Sequence, residues 1–179
     1  MKNVESIIKE LTDVPEPLTT QERVKIIQLF HSSGHIFISG SGRSGLMIDG
    51  LANRLSQLGL SVSVVGEITS PHTKAGDLII FNSASGKSEK MVSQAKKAKD
   101  NSVKSLLITT DIKSPLAVNC EDIVMIKAQS KYTKTDTIQP MGALFEQYSM
   151  ILFDSLILNY VEKYNISEKS MISNHADIE

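Results

Sequence analysis

Between residues 36 and 126 short apolar runs alternate with amphipathic stretches, and this rhythm restricts the fold more than any other feature of the chain. The runs are Ile36-Phe37-Ile38, Val62 to Val65, Leu78-Ile79-Ile80-Phe81, Leu106-Leu107-Ile108 and Ile123 to Ile126. Each is bounded by turn residues and mostly branched or aromatic, as parallel strands buried on both faces are. Between them, Ser44 to Leu58 reads as a helix stopped by Gly59, and Ser88 to Lys99 as a helix charged on one side. Ser114-Pro115 opens a short helix, with serine at its cap and proline in its first turn. Met141 to Tyr164 carries Leu144, Phe145, Tyr148, Ile151, Leu152 and Leu156 at helical spacing. Five strands alternating with helices predict an α/β fold, a doubly wound five-stranded parallel sheet flanked by helices.

Before that rhythm begins, Ile7, Ile8 and Leu11 suggest a first helix, and Val14-Pro15-Glu16-Pro17 breaks it. Thr19-Thr20-Gln21-Glu22 has capping-box spacing, and Val24, Ile27 and Phe30 give the next helix an apolar stripe ending near Gly34. No repeat or Pro/Gly linker interrupts the 179 residues, so the expectation is one domain over 1–179, with helices in 1–34 packing on its core.

Composition excludes several classes. Nineteen basic and twenty acidic residues leave a formal charge of −1, against a nucleic-acid partner. Cys120 is the only cysteine, which rules out an internal disulfide and leaves too few thiolates for a structural zinc site. No uninterrupted apolar run approaches the roughly 20 residues of a membrane span, and the first residues lack the apolar block of a signal peptide. A cytoplasmic protein without a membrane partner is expected.

Ligands of doubly wound sheets bind beyond the carboxyl ends of the strands. The loop after the first run, Gly40-Ser41-Gly42-Arg43-Ser44-Gly45, matches G-x-G-x-x-G, and Glu67 stands near where an acidic residue would hold a ribose. A tight strand-to-helix turn would need the same glycines. The loop after the third run, Asn82-Ser83-Ala84-Ser85-Gly86-Lys87-Ser88, favours a phosphate monoester instead. Its three oxygens want short donors together with the free N–H groups and positive end of a helix. Ser83, Ser85 and Ser88 supply hydroxyls, Gly86 lets the backbone close in, and Ser44 adds a donor from the first loop.

Together these loops resemble the sugar isomerase (SIS) family, whose members hold sugar phosphates with a turn of the form S-x-S-G-x-[ST]. Val65-Gly66-Glu67-Ile68-Thr69-Ser70-Pro71, Gly76-Asp77-Leu78 and Gln139-Pro140-Met141-Gly142-Ala143-Leu144-Phe145-Glu146-Gln147 are similar to its 6-phospho-3-hexuloisomerase branch. So is the ending His175-Ala176-Asp177-Ile178-Glu179. Lys87 departs from the acidic residue usual there, and Asp177 from asparagine.

The resemblance implies a flavodoxin-like SIS sheet, no cofactor and no metal, and a homotetramer. It also implies interconversion of D-arabino-hex-3-ulose 6-phosphate and D-fructose 6-phosphate, a step of the ribulose monophosphate pathway that serves formaldehyde fixation or pentose supply. A non-catalytic sugar-phosphate-binding module and an isomerase of another phosphosugar, such as arabinose 5-phosphate, are the alternatives. Moving the carbonyl from C3 to C2 needs one carboxylate beside both carbons and a donor for the enediolate. Glu146 is the first choice for the carboxylate, and His175 or His72 for the acid or ring opener. Ser41, Arg43, Ser44, Ser83, Ser85, Gly86 and Ser88 are expected at the phosphate. Glu67 would orient substrate hydroxyls or meet a neighbouring chain.

Overall fold

The computed structural model describes residues 3–128 and 137–178. Its strands are β1 (Ile36–Gly40), β2 (Val62–Val64), β3 (Leu78–Asn82), β4 (Lys104–Thr109) and β5 (Asp122–Met125). They pair in parallel in the order β2-β1-β3-β4-β5. The helices are α1 (Asn3–Asp13), α2 (Thr20–Ser32), α3 (Gly42–Gln57), α4 (Glu89–Asp100), α5 (Ala143–Tyr164) and α6 (Glu168–Ser173).

Side chains alternate across each strand, so the sheet builds two cores. Ile36, Ile38, Leu78, Ile80, Leu106 and Ile108 face one layer, where α2, α3 and α5 contribute Phe30, Leu55 and Phe145. Phe37, Ile79, Phe81 and Leu107 face the other and meet Met91, Ala95 and Ala98 of α4. The predicted capping box is present: Thr19 Oγ1 accepts from the Glu22 amide, and Glu22 accepts from the Thr19 amide at 2.8 Å.

Four expectations need correction. Only the central strands are buried on both faces, because β2 and β5 are edges, and every residue of β2 is half-exposed. No helix joins β2 to β3, where residues 65–77 include Pro71 and the positive-φ glycines Gly66 and Gly76. The helix expected at Ser114-Pro115 is a single 3₁₀ turn, Ala117–Asn119, and Ser114 Oγ accepts from the Ala117 amide at 3.3 Å. Pro140–Tyr164 is long and apolar enough to match a membrane span, although no uninterrupted apolar run in the sequence is. Its apolarity belongs to the core, since Leu144, Phe145, Leu152, Phe153, Leu156, Ile157 and Tyr160 are buried.

Candidate phosphate-binding cleft

The strand order reverses between β1 and β3, which is where such sheets open a crevice. Gly40 and Asn82, the last residues of these strands, are register partners, so the two loops leave the sheet side by side. Each runs into a helix, so the positive N-terminal ends of α3 and α4 stand beside the gap. The result is a cleft of about 490 Å³, lined by both loops, Met91 and the first turn leading into α5.

The glycines of the first loop answer to packing. A Cβ on Gly40 would stand 2.7 Å from the Gly45 Cα and 2.9 Å from Ile48 Cγ2, so strand and helix approach closely only with glycine there. This is the close approach of a strand-to-helix turn, which accounts for these two glycines by packing alone. In the second loop Gly86 has φ 58°, and a Cβ would lie 2.0 Å from Ser114 Oγ. Its amide donates to Ser83 Oγ at 3.3 Å, and Ser88 Oγ caps α4 by accepting from the Met91 amide at 3.5 Å. Ser41, Ser44, Ser83, Ser85 and Ser88 all line the cleft, as do Arg43 and Lys87.

The third wall is the entry to α5. Pro140-Met141-Gly142 turns sharply, with Met141 at φ 62° and Gly142 at φ 83°, both left-handed. A non-glycine residue there costs about 1–2 kcal/mol. Such strain persists when surrounding structure demands it. The turn sets Glu146 in the first turn of α5, where the helix end favours a negative charge. Arg43 Nη1 donates to Glu146 Oε2 at 3.0 Å, and Ser44 Oγ to Oε1 at 3.5 Å. The Glu146 side chain is 14% exposed and that of Arg43 45%.

Two residues at this site were not anticipated. Asn82 is fully buried (0% exposed) and lines the cleft. Its Nδ2 donates to the Ser44 carbonyl at 2.9 Å and to Ser149 Oγ at 3.2 Å. Ser149 in turn donates to the Glu146 carbonyl at 2.9 Å. One amide therefore ties the ends of β3, α3 and α5 together. A polar residue closing an apolar strand, and a serine three positions after Glu146 within an apolar stripe, were the available signs.

Gly86 belongs to the second loop but packs against Ser114 and does not line the cleft, and three further expected site residues lie away from it in their own chain. Glu67 sits in the exposed turn after β2, near Asp49 of α3. Burial, then the Glu67 charge, pushes the Asp49 carboxyl up. His72 is exposed beside Thr73, whose hydroxyl accepts from Asn101 at the end of α4. His175 follows α6, with Nδ1 2.8 Å from the Ala176 carbonyl. Asn174 beside it donates to the Gln57 carbonyl, at the far end of α3. Sixteen helical residues put that end about 24 Å from the cleft.

Helix ends, hydroxyls and cations gathered at one switch point make a cleft suited to an anionic ligand, with a carboxylate on its wall. The SIS domain family model matches residues 29–151. Over 98% of this chain and 97% of the relative, the sequence is 33% identical to the 3-hexulose-6-phosphate isomerase of Bacillus subtilis. It is also 33% identical, over 99% of both chains, to the enzyme of that name from Methylomonas aminofaciens. A crystal structure from Methanococcus jannaschii, for which the same function has been inferred, superposes over the whole of both chains with a TM-score of 0.85 at 26% identity. The chain belongs to the SIS domain family.

Proposed function

We propose that this protein interconverts D-arabino-hex-3-ulose 6-phosphate and D-fructose 6-phosphate, the reaction of a 3-hexulose-6-phosphate isomerase. The observation that carries this reading is the placement of Glu146. Its carboxylate is held by Arg43 and Ser44 on the wall of the cleft that also contains Ser83, Ser85 and Ser88.

The phosphate is bound between the starts of α3 and α4, where serine hydroxyls, backbone N–H groups and the cations Arg43 and Lys87 meet its charge. Glu146 then takes the proton from C2, a C2–C3 enediol forms, and the proton returns to C3. Arg43 has five N–H donors. Those not engaged by Glu146 are available to the enediolate oxygens. The carbonyl moves from C3 to C2 with no net change of oxidation level over the two carbons, so the step requires no redox cofactor.

The acid that assists at the oxygens comes from another subunit in this reading, because His72 and His175 lie away from their own chain's cleft. A homotetramer supplies such neighbours, and a groove between α3 and α5 supports assembly. Met47, Leu51, Met150, Phe153 and Leu158 line it beside Asn53 and the Arg54–Asp154 ion pair, with Leu46 and Ile151 exposed nearby. The whole chain works as one domain in the cytoplasm. Product analysis after adding hex-3-ulose 6-phosphate tests the function: fructose 6-phosphate is expected. Binding without turnover would leave a sugar-phosphate-binding module, and turnover of arabinose 5-phosphate alone would leave a different isomerase.

A further inference from the structure

The Gln139-Pro140-Met141-Gly142 run carries the most specific resemblance, yet Gln139 does not line the cleft. It is 4% exposed, and its Nε2 donates to Glu10 Oε2 at 3.0 Å. Glu10 belongs to α1, a helix with no buried residue that precedes the part of the chain matched by the family model. The same carboxylate accepts from the Ile138 amide at 2.8 Å through Oε1, and from Thr137 Oγ1 at 2.9 Å through Oε2. Three successive residues thus donate to one side chain across more than 120 positions of sequence.

We infer that Glu10 is a positioning residue that anchors the left-handed turn Met141–Gly142, and through it sets the place of Glu146 in the cleft. The turn needs such an anchor. Met141 is in a left-handed conformation and 74% exposed, so its own side chain does little to hold it there. The anchor sits two residues upstream, at the point where the chain must be fixed for α5 to start in a defined direction. A carboxylate suits three donors because its two oxygens offer about four lone pairs. Bonds to a charged acceptor are also the stronger kind. Burial raises the Glu10 carboxyl, but the bonds from Ile138, Gln139 and Thr137 outweigh it and leave the group below the ordinary value of 4.5. Helix α1 is then a strut of the site, and the glutamine of the motif is the partner cut to fit it.

The inference rests on the proposed isomerase reading for its catalytic consequence, so two readouts are needed on the full-length protein. In Glu10→Ala, hydrogen exchange at the Ile138 amide should accelerate about tenfold or more, since a bond to a charged acceptor is lost. kcat should fall about tenfold, toward the hundredfold that a 1 Å misplacement costs. KM should stay within about twofold, because both serine loops are untouched. Gln139→Glu sets two carboxylates face to face and should do the same damage. The exchanged pair Glu10→Gln with Gln139→Glu restores donor to acceptor and should recover both kcat and protection.

Unchanged exchange in Glu10→Ala would overturn the anchor. Unchanged kcat in that variant, or an exchanged pair no better than Gln139→Glu alone, would overturn its role in positioning. A wild-type protein without isomerase activity would remove the proposed function, while the exchange measurement would still decide the anchor.

Discussion

The turns after β1 and β3 stand side by side and both open helices, yet their small residues are there for different reasons. In the first, Gly40 and Gly45 let strand and helix touch, and no side chain would fit between them. In the second, Ser88 caps α4 and Ser83 accepts from the Gly86 amide, and with Ser85 the three hydroxyls line one wall of the cleft. The first turn is solved by backbone geometry and the second by chemistry. A glycine pattern therefore reports how closely elements approach, whereas hydroxyls at a helix start both cap the helix and offer donors to an anion. That difference is why the G-x-G-x-x-G match does not by itself specify a dinucleotide.

Variants should separate the two turns. The largest effect is expected at the carboxylate that leans on the first turn and shares the cleft with the second. Glu146→Gln should lower kcat by about 10²–10⁴-fold, with KM for the sugar phosphate nearly unchanged in steady-state assays. Near-normal turnover would clear Glu146 of the proton transfer.

Next comes the double variant Ser83→Ala with Ser88→Ala. Charge-assisted bonds of about 1.5–3 kcal/mol each would go, so KM should rise at least about tenfold. Its stability should drop by what a lost helix cap and the lost acceptor of the Gly86 amide entail, about 2 kcal/mol in thermal melts. Gly40→Ala should give a loss of about 1–3 kcal/mol in stability from overpacking and an unchanged KM in the fraction that folds. Equal effects of the two variants on KM would break the comparison.

The smallest effect lies at the sheet edge beside Glu67. Asp49 holds its proton more tightly in the folded protein than its ordinary 3.8. Its contribution to stability is therefore complete below that value and lost as pH rises through the raised one. Asp49→Asn should stabilise at pH 7, by less than about 0.5 kcal/mol for a largely exposed group. The gain should vanish near pH 3 in thermal melts.

Much of this was legible in the chain. The apolar runs located all five strands, the turn chemistry located both loops, and the capping box started α2 where expected. The local pattern also put Glu146 early in a helix, and that helix begins at the cleft. What stayed hidden depends on distant pairing. Edge and centre strands differ by their neighbours, so the runs at 62 and 123 look as buried as those at 36 and 78. Asn82 reads as the first residue of a polar loop until Ser44 and Ser149 are brought to it. Glu10 and Gln139 lie 129 positions apart, and nothing near either one announces the other. His72 and His175 were chosen by residue type and resemblance, and only the paths of α4 for the first and of α3 and α6 for the second show that they lie away from the cleft.

The central claim is that a carboxylate in this cleft moves a proton between C2 and C3. Enzyme incubated with fructose 6-phosphate in heavy water reports it directly by NMR. Deuterium should appear at C3 of fructose 6-phosphate and be lost from the product of Glu146→Gln under the same conditions. Internal return of the proton lowers the amount of label but not its position. Deuterium at C1 would contradict the assignment, because it marks an aldose–ketose isomerase working on the other side of the carbonyl.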